Sequence, residues 1–370
     1  MMTLENGERT KSRSNIGRRI WQHENTSILL VLVGMVVLVY LAEHLINSDL
    51  AFFDSNFITG MNISNVLLQV SATGILALSM TLVMISGGID LSVGNMLTFL
   101  GVGMAYLMKT GGWGEAETLA LAVVVGVGLQ LLMGLIISRT KIEPFIISLG
   151  FMSIYRGFTY LITNGREITI IGKLEFLKAV VFRVNMNSDD PSSAFVVTVP
   201  IVLMFGLALI VWAVVKYTKF GRRVYAVGGN ENAAYLAGIN VKNFKLLIYG
   251  INGLFVTIAS MALLARLGTG APTMGLGKEI DVIAAVVVGG TAMSGGKGHI
   301  WGAMIGVLVL GIISNALNII GIDPYYQFII SGLLIIFAVM IGYYSGLRTA
   351  KKSVRKTELS LPSNNKASSV

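Results

Sequence analysis

No cysteine occurs among the 370 residues, so disulfides, thiolate catalysis and cysteine-based metal sites are excluded. Charge is scarce as well. Asp, Glu, Lys and Arg make up 13% of the chain, against roughly 25% in an ordinary soluble domain. That is too little charge to cover one or two soluble domains of this length. Histidine occurs only three times (His23, His44, His299), at separations that form no metal-ligand spacing. Neither His nor Cys supplies a nucleophile–base set inside the apolar segments, which argues against an intramembrane enzyme. No metal site or cofactor is expected.

What the chain has in quantity is apolar surface: 54% of its residues are of hydrophobic types. Stretches of about 17–25 apolar residues are needed to cross roughly 30 Å of hydrocarbon. Such stretches fall near 27–46, 65–86, 91–108, 118–138, 142–163, 195–215, 246–265, 280–293, 300–320 and 324–345. The eighth is too short to span comfortably and reads as a half-helix or part of a broken one. The expectation is an all-α integral membrane protein with about ten transmembrane helices. The first run, behind Arg18 and Arg19, lacks a small-residue cleavage site and reads as a retained anchor. The 43 glycines suit close helix packing in lipid.

Lys and Arg set the orientation. With the N-terminus inside and ten crossings, the inner segments 1–26, 139–141, 216–245, 294–299 and 346–370 hold 20 of the 28 basic residues. The outer segments hold 7, and Arg156 lies within a span. Both termini are therefore expected in the cytoplasm. The net charge of +9 is a matter of membrane topology, and no nucleic-acid partner is implied. Residues 1–26 and 346–370 are polar tails around a membrane domain at 27–345, whose largest cytoplasmic loop is 216–245.

Several motifs stand out. Gly87-Gly88-Ile-Asp-Leu-Ser92-Val-Gly94 and Gly289-Gly290-Thr-Ala-Met-Ser294-Gly-Gly296 share one pattern, GGxx[LM]SxG. Glycine pairs tolerate backbone bends, and bent helices often border solute paths, but tight turns at the membrane surface explain the pattern as well. Asp90 is a carboxylate beside such a bend, and its expected role is to cap the third span. Ser294-Gly-Gly-Lys-Gly298 is not a phosphate loop: Thr291 stands where the first glycine is required, and Gly298 where Ser or Thr is. In the cytoplasmic loop, Asn230 to Gly238 reads as a short helix that Asn230 caps and Gly238 ends, presenting a face to a soluble partner. Arg156 lies mid-span, where a cation is costly; a salt bridge to Glu143 and a solute contact are both open to it. Gln69, Ser71, Thr73, Asn95, Asn252, Asn315, Asn318, Tyr325 and Gln327 suit a neutral polyol or simple interhelical bonding.

ISGGIDLSVGN (85–95), GGNENAAYLAGINV (228–241) and IDVIAAVVVGGTAMSGGKGHIWGAMIGVLVLGIISNALNIIGIDPYYQ (280–327) closely resemble bacterial ATP-binding-cassette importer permeases for monosaccharides. Ribose-type permeases are nearest, with xylose, arabinose, galactose, inositol and autoinducer-2 systems close by. The likeness runs from about 25 to 345. It implies a transport function in the cytoplasmic membrane of a bacterium, with ATP hydrolysis on a separate cytoplasmic ATP-binding protein. It further implies a periplasmic or lipid-anchored sugar-binding protein, and a second permease subunit, as a homodimer, enclosing the path. Glu231, Ala233, Ala234 and Gly238 match the coupling loop of such permeases, though the I-x-L-P ending of better-known importers is missing here. Asp90, Asn95, Arg156, Asn315 and Tyr325 are candidates for the path. A rival reading, an ion-driven carrier, calls for a carboxylate relay within the spans. Glu43, Asp90 and Glu143 instead sit near span ends.

Overall fold

The computed structural model describes residues 57–185 and 193–319 continuously, together with scattered positions within 33–41 and 321–340. The stretches expected at 27–46 and 324–345 thus lie largely outside the described residues, and both polar tails lie wholly outside them.

The chain runs α1 (Gly60–Ile85), α2 (Val93–Lys109), α3 (Glu115–Arg139), α4 (Pro144–Thr163), β1 (Ile168–Thr169), α5 (Glu175–Lys178), β2 (Val180–Asn185) and β3 (Ala194–Thr198). It continues through α6 (Val199–Tyr217), α7 (Lys219–Gly229), α8 (Glu231–Leu236), α9 (Val241–Leu267), β4 (Thr269–Gly270), α10 (Lys278–Val288) and α11 (Ile300–Ile319). Among the described residues, α1, α3, α4, α6, α9 and α11 are long and apolar enough to cross a membrane.

The all-α expectation needs one amendment: two short antiparallel ribbons are present. β1 pairs with β4 (Ile168 opposite Gly270), and β2 pairs with β3 (Arg183 opposite Val196). Neither was legible, because two- to six-residue strands carry too little period-2 signal among apolar neighbours.

Local chemistry explains where the helices begin and stop. Thr59 caps α1 by accepting from the Asn62 amide at 3.2 Å. Pro144 opens α4, where its missing N–H costs nothing. Asn240 caps α9, which ends at the left-handed Gly268 (φ 65°).

α1 is the central helix, buried at every residue from Val70 to Ser86. α4 lies at the edge of the bundle, exposing Phe145, Leu149, Phe158 and Leu161. α3 and α9 cross closely through glycines. A Cβ at Gly253 would lie 2.6 Å from the Gly126 carbonyl oxygen, and one at Gly134 would lie 2.6 Å from Tyr249 Cβ. Small residues here let two backbones touch, and this contact brings the polar side chains of both helices together.

Candidate functional site

Two of the expected crossings are shorter than the six long helices. α2 has 17 residues, about 25 Å of helix, and α10 has 11, about 16 Å, roughly half the hydrocarbon thickness. The short helix expected near 280–293, as a half-helix or part of a broken one, is α10 at Lys278–Val288. Ahead of it, residues 270–277 run without helix alongside α2. Gly270 packs on Val102 and Ala105, Met274 lies against Gly101, and the Gly275 N–H donates to Thr98 Oγ1 at 3.1 Å. Non-helical backbone at membrane depth is tolerated where protein surrounds it.

At the first turn of α2 the interior becomes polar. Asp90 is fully buried. Its Oδ1 accepts from the Ser92 N–H at 2.8 Å and the Ser92 hydroxyl at 2.6 Å. Its Oδ2 accepts from Gln130 Nε2 on α3 and Asn252 Nδ2 on α9, both at 2.7 Å. The capping role expected for Asp90 is therefore corrected. The N-cap position of α2 is Ser92, which makes no side-chain cap bond, and the carboxylate serves instead as the hub joining three helices. A carboxylate accepting four hydrogen bonds replaces much of the water it lost, which is what makes its burial tolerable. Around the hub, Gln130 Oε1, Asn252 Oδ1 and the hydroxyls of Tyr155 and Tyr249 have no hydrogen-bond partner among the described residues.

A second carboxylate, Glu279, is 6% exposed in the first turn of α10 and lies against Gly94 of α2. Sequence reading placed this residue in an outer segment. The signal that could have found it is the glycine run 270–277, which lets a chain approach another backbone closely. Arg156 is exposed on α4 and close enough to Glu279 to act on it electrostatically. Of the two roles open to Arg156, the bridge to Glu143 does not form: Glu143 precedes α4 and Arg156 lies on it, 13 positions or about 20 Å apart. Of the other path candidates, Asn95 is buried beside Gly94. Asn315 makes a reciprocal amide pair with Asn62 at 2.8 and 2.9 Å, joining the start of α1 to the end of α11. Tyr325 is 77% exposed, and its N–H donates to the Asp323 carboxylate. The structure thus gathers Asp90, Asn95, Glu279 and Arg156 around the first turns of α2 and α10, while Asn315 belongs to a separate pair.

The short helix expected in the loop is α8. Asn230 Oδ1 accepts from the Ala233 N–H at 3.0 Å, and Gly238 follows the helix with φ 84°. Glu231 pairs with Lys245 of α9. Ala234 is buried against the rest of the chain, whereas Ala233, Tyr235 and Leu236 face outward, the last at 84% exposure. Ala234 therefore seats the helix, and the face open to a partner is Tyr235–Leu236.

Just ahead of α8, three glycine pairs meet. The Gly296 N–H donates to the Ile85 carbonyl at 2.8 Å. Gly228 lies against that same carbonyl, and Gly295 lies against Gly87. The two GGxx[LM]SxG copies are thus in backbone contact with each other and with the end of α7. Tyr225 tightens the junction by donating its hydroxyl to the Gly298 carbonyl at 2.7 Å, and burial pushes its phenol above the usual tyrosine range.

Six helices long and apolar enough to cross a membrane, packed around buried polar groups, are the build of a multi-pass membrane protein. A model of the family described as "Branched-chain amino acid transport system / permease component" matches residues 62–339, and the chain belongs to that family. Among curated proteins it is similar to the ribose import permease protein of Bacillus subtilis strain 168, 36% identical over 79% of this chain and 87% of that one. The ribose import permease protein of Escherichia coli K12 is 35% identical over 87% and 94%. The D-allose transport system permease protein of Escherichia coli K12 is 35% identical over 77% and 84%. No solved structure matches the chain.

Proposed function

We propose that this chain is the membrane subunit of an ATP-binding-cassette importer that carries a monosaccharide, ribose-like in class, across the cytoplasmic membrane of a bacterium. A cytoplasmic ATP-binding protein supplies the energy, and an external sugar-binding protein delivers the solute. Two copies of the chain face each other across the path, and both termini lie in the cytoplasm. The observation that carries this reading is α8: a capped helix, clamped through the glycine junction to α1 and to the α10–α11 turn, with Tyr235 and Leu236 exposed for docking. The names of the relatives support the solute class.

The exposed face of α4, which carries Arg156, supports a path between two copies. Arg156 is out of place against hydrocarbon, since a mid-span cation faces protein or water. Arg156 and the Lys278–Asp281 pair (3.1 Å) border this face and can hydrogen-bond sugar hydroxyls in turn. ATP binding on the partner moves α8, and the junction transmits that movement to the half-helix. Sugar shifts the resulting equilibrium only by its differential affinity for the two states.

The decisive experiment is uptake of labelled monosaccharides in a strain without its own pentose and hexose importers. The chain is expressed with and without its ATP-binding and binding-protein partners. Uptake requiring all components is the expected result. Uptake by the chain alone, collapsing with the proton gradient, overturns the proposal in favour of an ion-driven carrier. Docking has its own test. Leu236→Asp is expected to weaken co-purification of the ATP-binding partner by roughly 30-fold, the scale of one apolar anchor residue. The thermal midpoint should not move, because Leu236 is 84% exposed.

A further inference from the structure

At the junction of α6, α7 and α11 lies a cavity of about 450 Å³, lined by Trp212, Lys216, Arg222, Tyr225, His299 and Trp301 together with two aliphatic side chains. Its composition is unusual for the interior of a span end: two tryptophans and a tyrosine form walls, and the cations carry no acidic counterpart among the lining residues. Lys216 Nζ sits 4.7 Å from the Trp212 ring and 5.2 Å from the Tyr217 ring, an arrangement that places the charge without neutralising it. None of the three ion pairs found among the described residues involves Lys216, Lys219, Arg222 or Arg223. Lys219, Arg222 and Arg223 open α7, whose first turn has no acidic residue, so basic charge is stacked on the positive end of a helix. That arrangement is unfavourable unless an anion shares the site.

The surroundings say which anion. Val202, Leu209, Ile210 and Val214 are exposed along α6, an apolar stripe suited to acyl chains, and the cavity lies at the end of that stripe. Trp212, Tyr217 and Trp301 stand where aromatic side chains mark the boundary between hydrocarbon and headgroups. We infer that this cavity binds the phosphate headgroup of an anionic phospholipid of the inner leaflet, through Lys216 and Arg222, with Trp212 and Trp301 against its glycerol and upper acyl chain. The inference rests on the orientation proposed above, which puts 216–245 on the cytoplasmic side. A lipid seated here braces the start of α7, the arm that ends at Gly228 and carries α8.

Thermal unfolding of the purified chain in neutral detergent tests this without ATP, sugar or partner subunits, so a failure of the transport reading leaves the readout intact. Phosphatidylglycerol, phosphatidylcholine, inorganic phosphate and glycerol 3-phosphate are titrated separately. Phosphatidylglycerol alone is expected to raise the midpoint, and Lys216→Gln/Arg222→Gln to need roughly 10–30-fold more of it. Equal protection by phosphatidylcholine, equal protection by the soluble phosphates, or an unchanged response in the double variant overturns the inference. Should that variant not fold, tryptophan quenching decides. With Trp21→Phe/Trp113→Phe leaving only Trp212 and Trp301, brominated phosphatidylglycerol is expected to quench several-fold more than brominated phosphatidylcholine. Equal quenching by the two overturns it.

Discussion

Asp90→Ala should be the most damaging single substitution in the interior. It removes the acceptor for four donors at once: the Ser92 N–H, the Ser92 hydroxyl, Gln130 Nε2 and Asn252 Nδ2. Each buried donor left unpaired costs about 1–3 kcal/mol, and repacking recovers only part of it. A loss of at least about 3 kcal/mol follows, read as a lower thermal midpoint in detergent and less protein inserted per cell. Asp90→Asn keeps the shape but places an amide N–H₂ against donors on one side. It should fall between wild type and alanine. If alanine proves as stable as wild type, the hub does not hold α2, α3 and α9 together.

Gly228→Val should show the second large effect, and of a different kind. A Cβ at this position would overlap the Ile85 carbonyl oxygen and lie 2.8 Å from the Gly296 nitrogen. Both obstacles are backbone, so no side chain can rotate away, and the strain is expected to be about 3 kcal/mol. The cheapest relief is to open the junction between α7 and the two glycine turns. We therefore expect the protein to insert while ATP hydrolysis, in the importer proposed above, no longer drives uptake. Gly229→Ala is the matched control, because a Cβ there meets nothing within 4 Å. Equal loss of uptake in both variants would show that the loop tolerates no change of any sort and would remove the special role of Gly228.

These two sites differ in how far the sequence foretold them. Asp90 stood out as a carboxylate among apolar residues, and capping was the natural reading, since it stands immediately before the span expected at 91–108 and Asp is a preferred cap. Besides Ser92, its partners lie 40 and 162 positions away. Gln130 sits in a helix that otherwise reads as any lipid-crossing segment, and no local pattern separates a glutamine bonded to a distant carboxylate from one bonded to its own backbone. The glycine echo was visible as a repeat. Its meaning was not, because glycine at a turn and glycine at a backbone contact look identical until the third strand of the junction, Gly228, is in place. In the loop at 216–245, local chemistry decided nearly everything: Asn230 caps, Gly238 stops, and α8 lies between them. Only burial showed that Ala234 faces inward and Leu236 outward.

By itself, then, the sequence determined the solvent, the class and much of the helix layout. A bilayer demands apolar segments of set length and forbids unpaired backbone within them, so composition and run length carry that information locally. The caps and breaks carry it too, because they act within one helical turn. The tertiary structure alone decided which polar groups meet, that α10 is reached by a non-helical run along α2, that Glu279 is buried, and that cations at the foot of α6 share a cavity with two tryptophans. Those facts depend on close approach between helices far apart in the chain, set by glycines such as Gly126 and Gly253 whose neighbours no local pattern names.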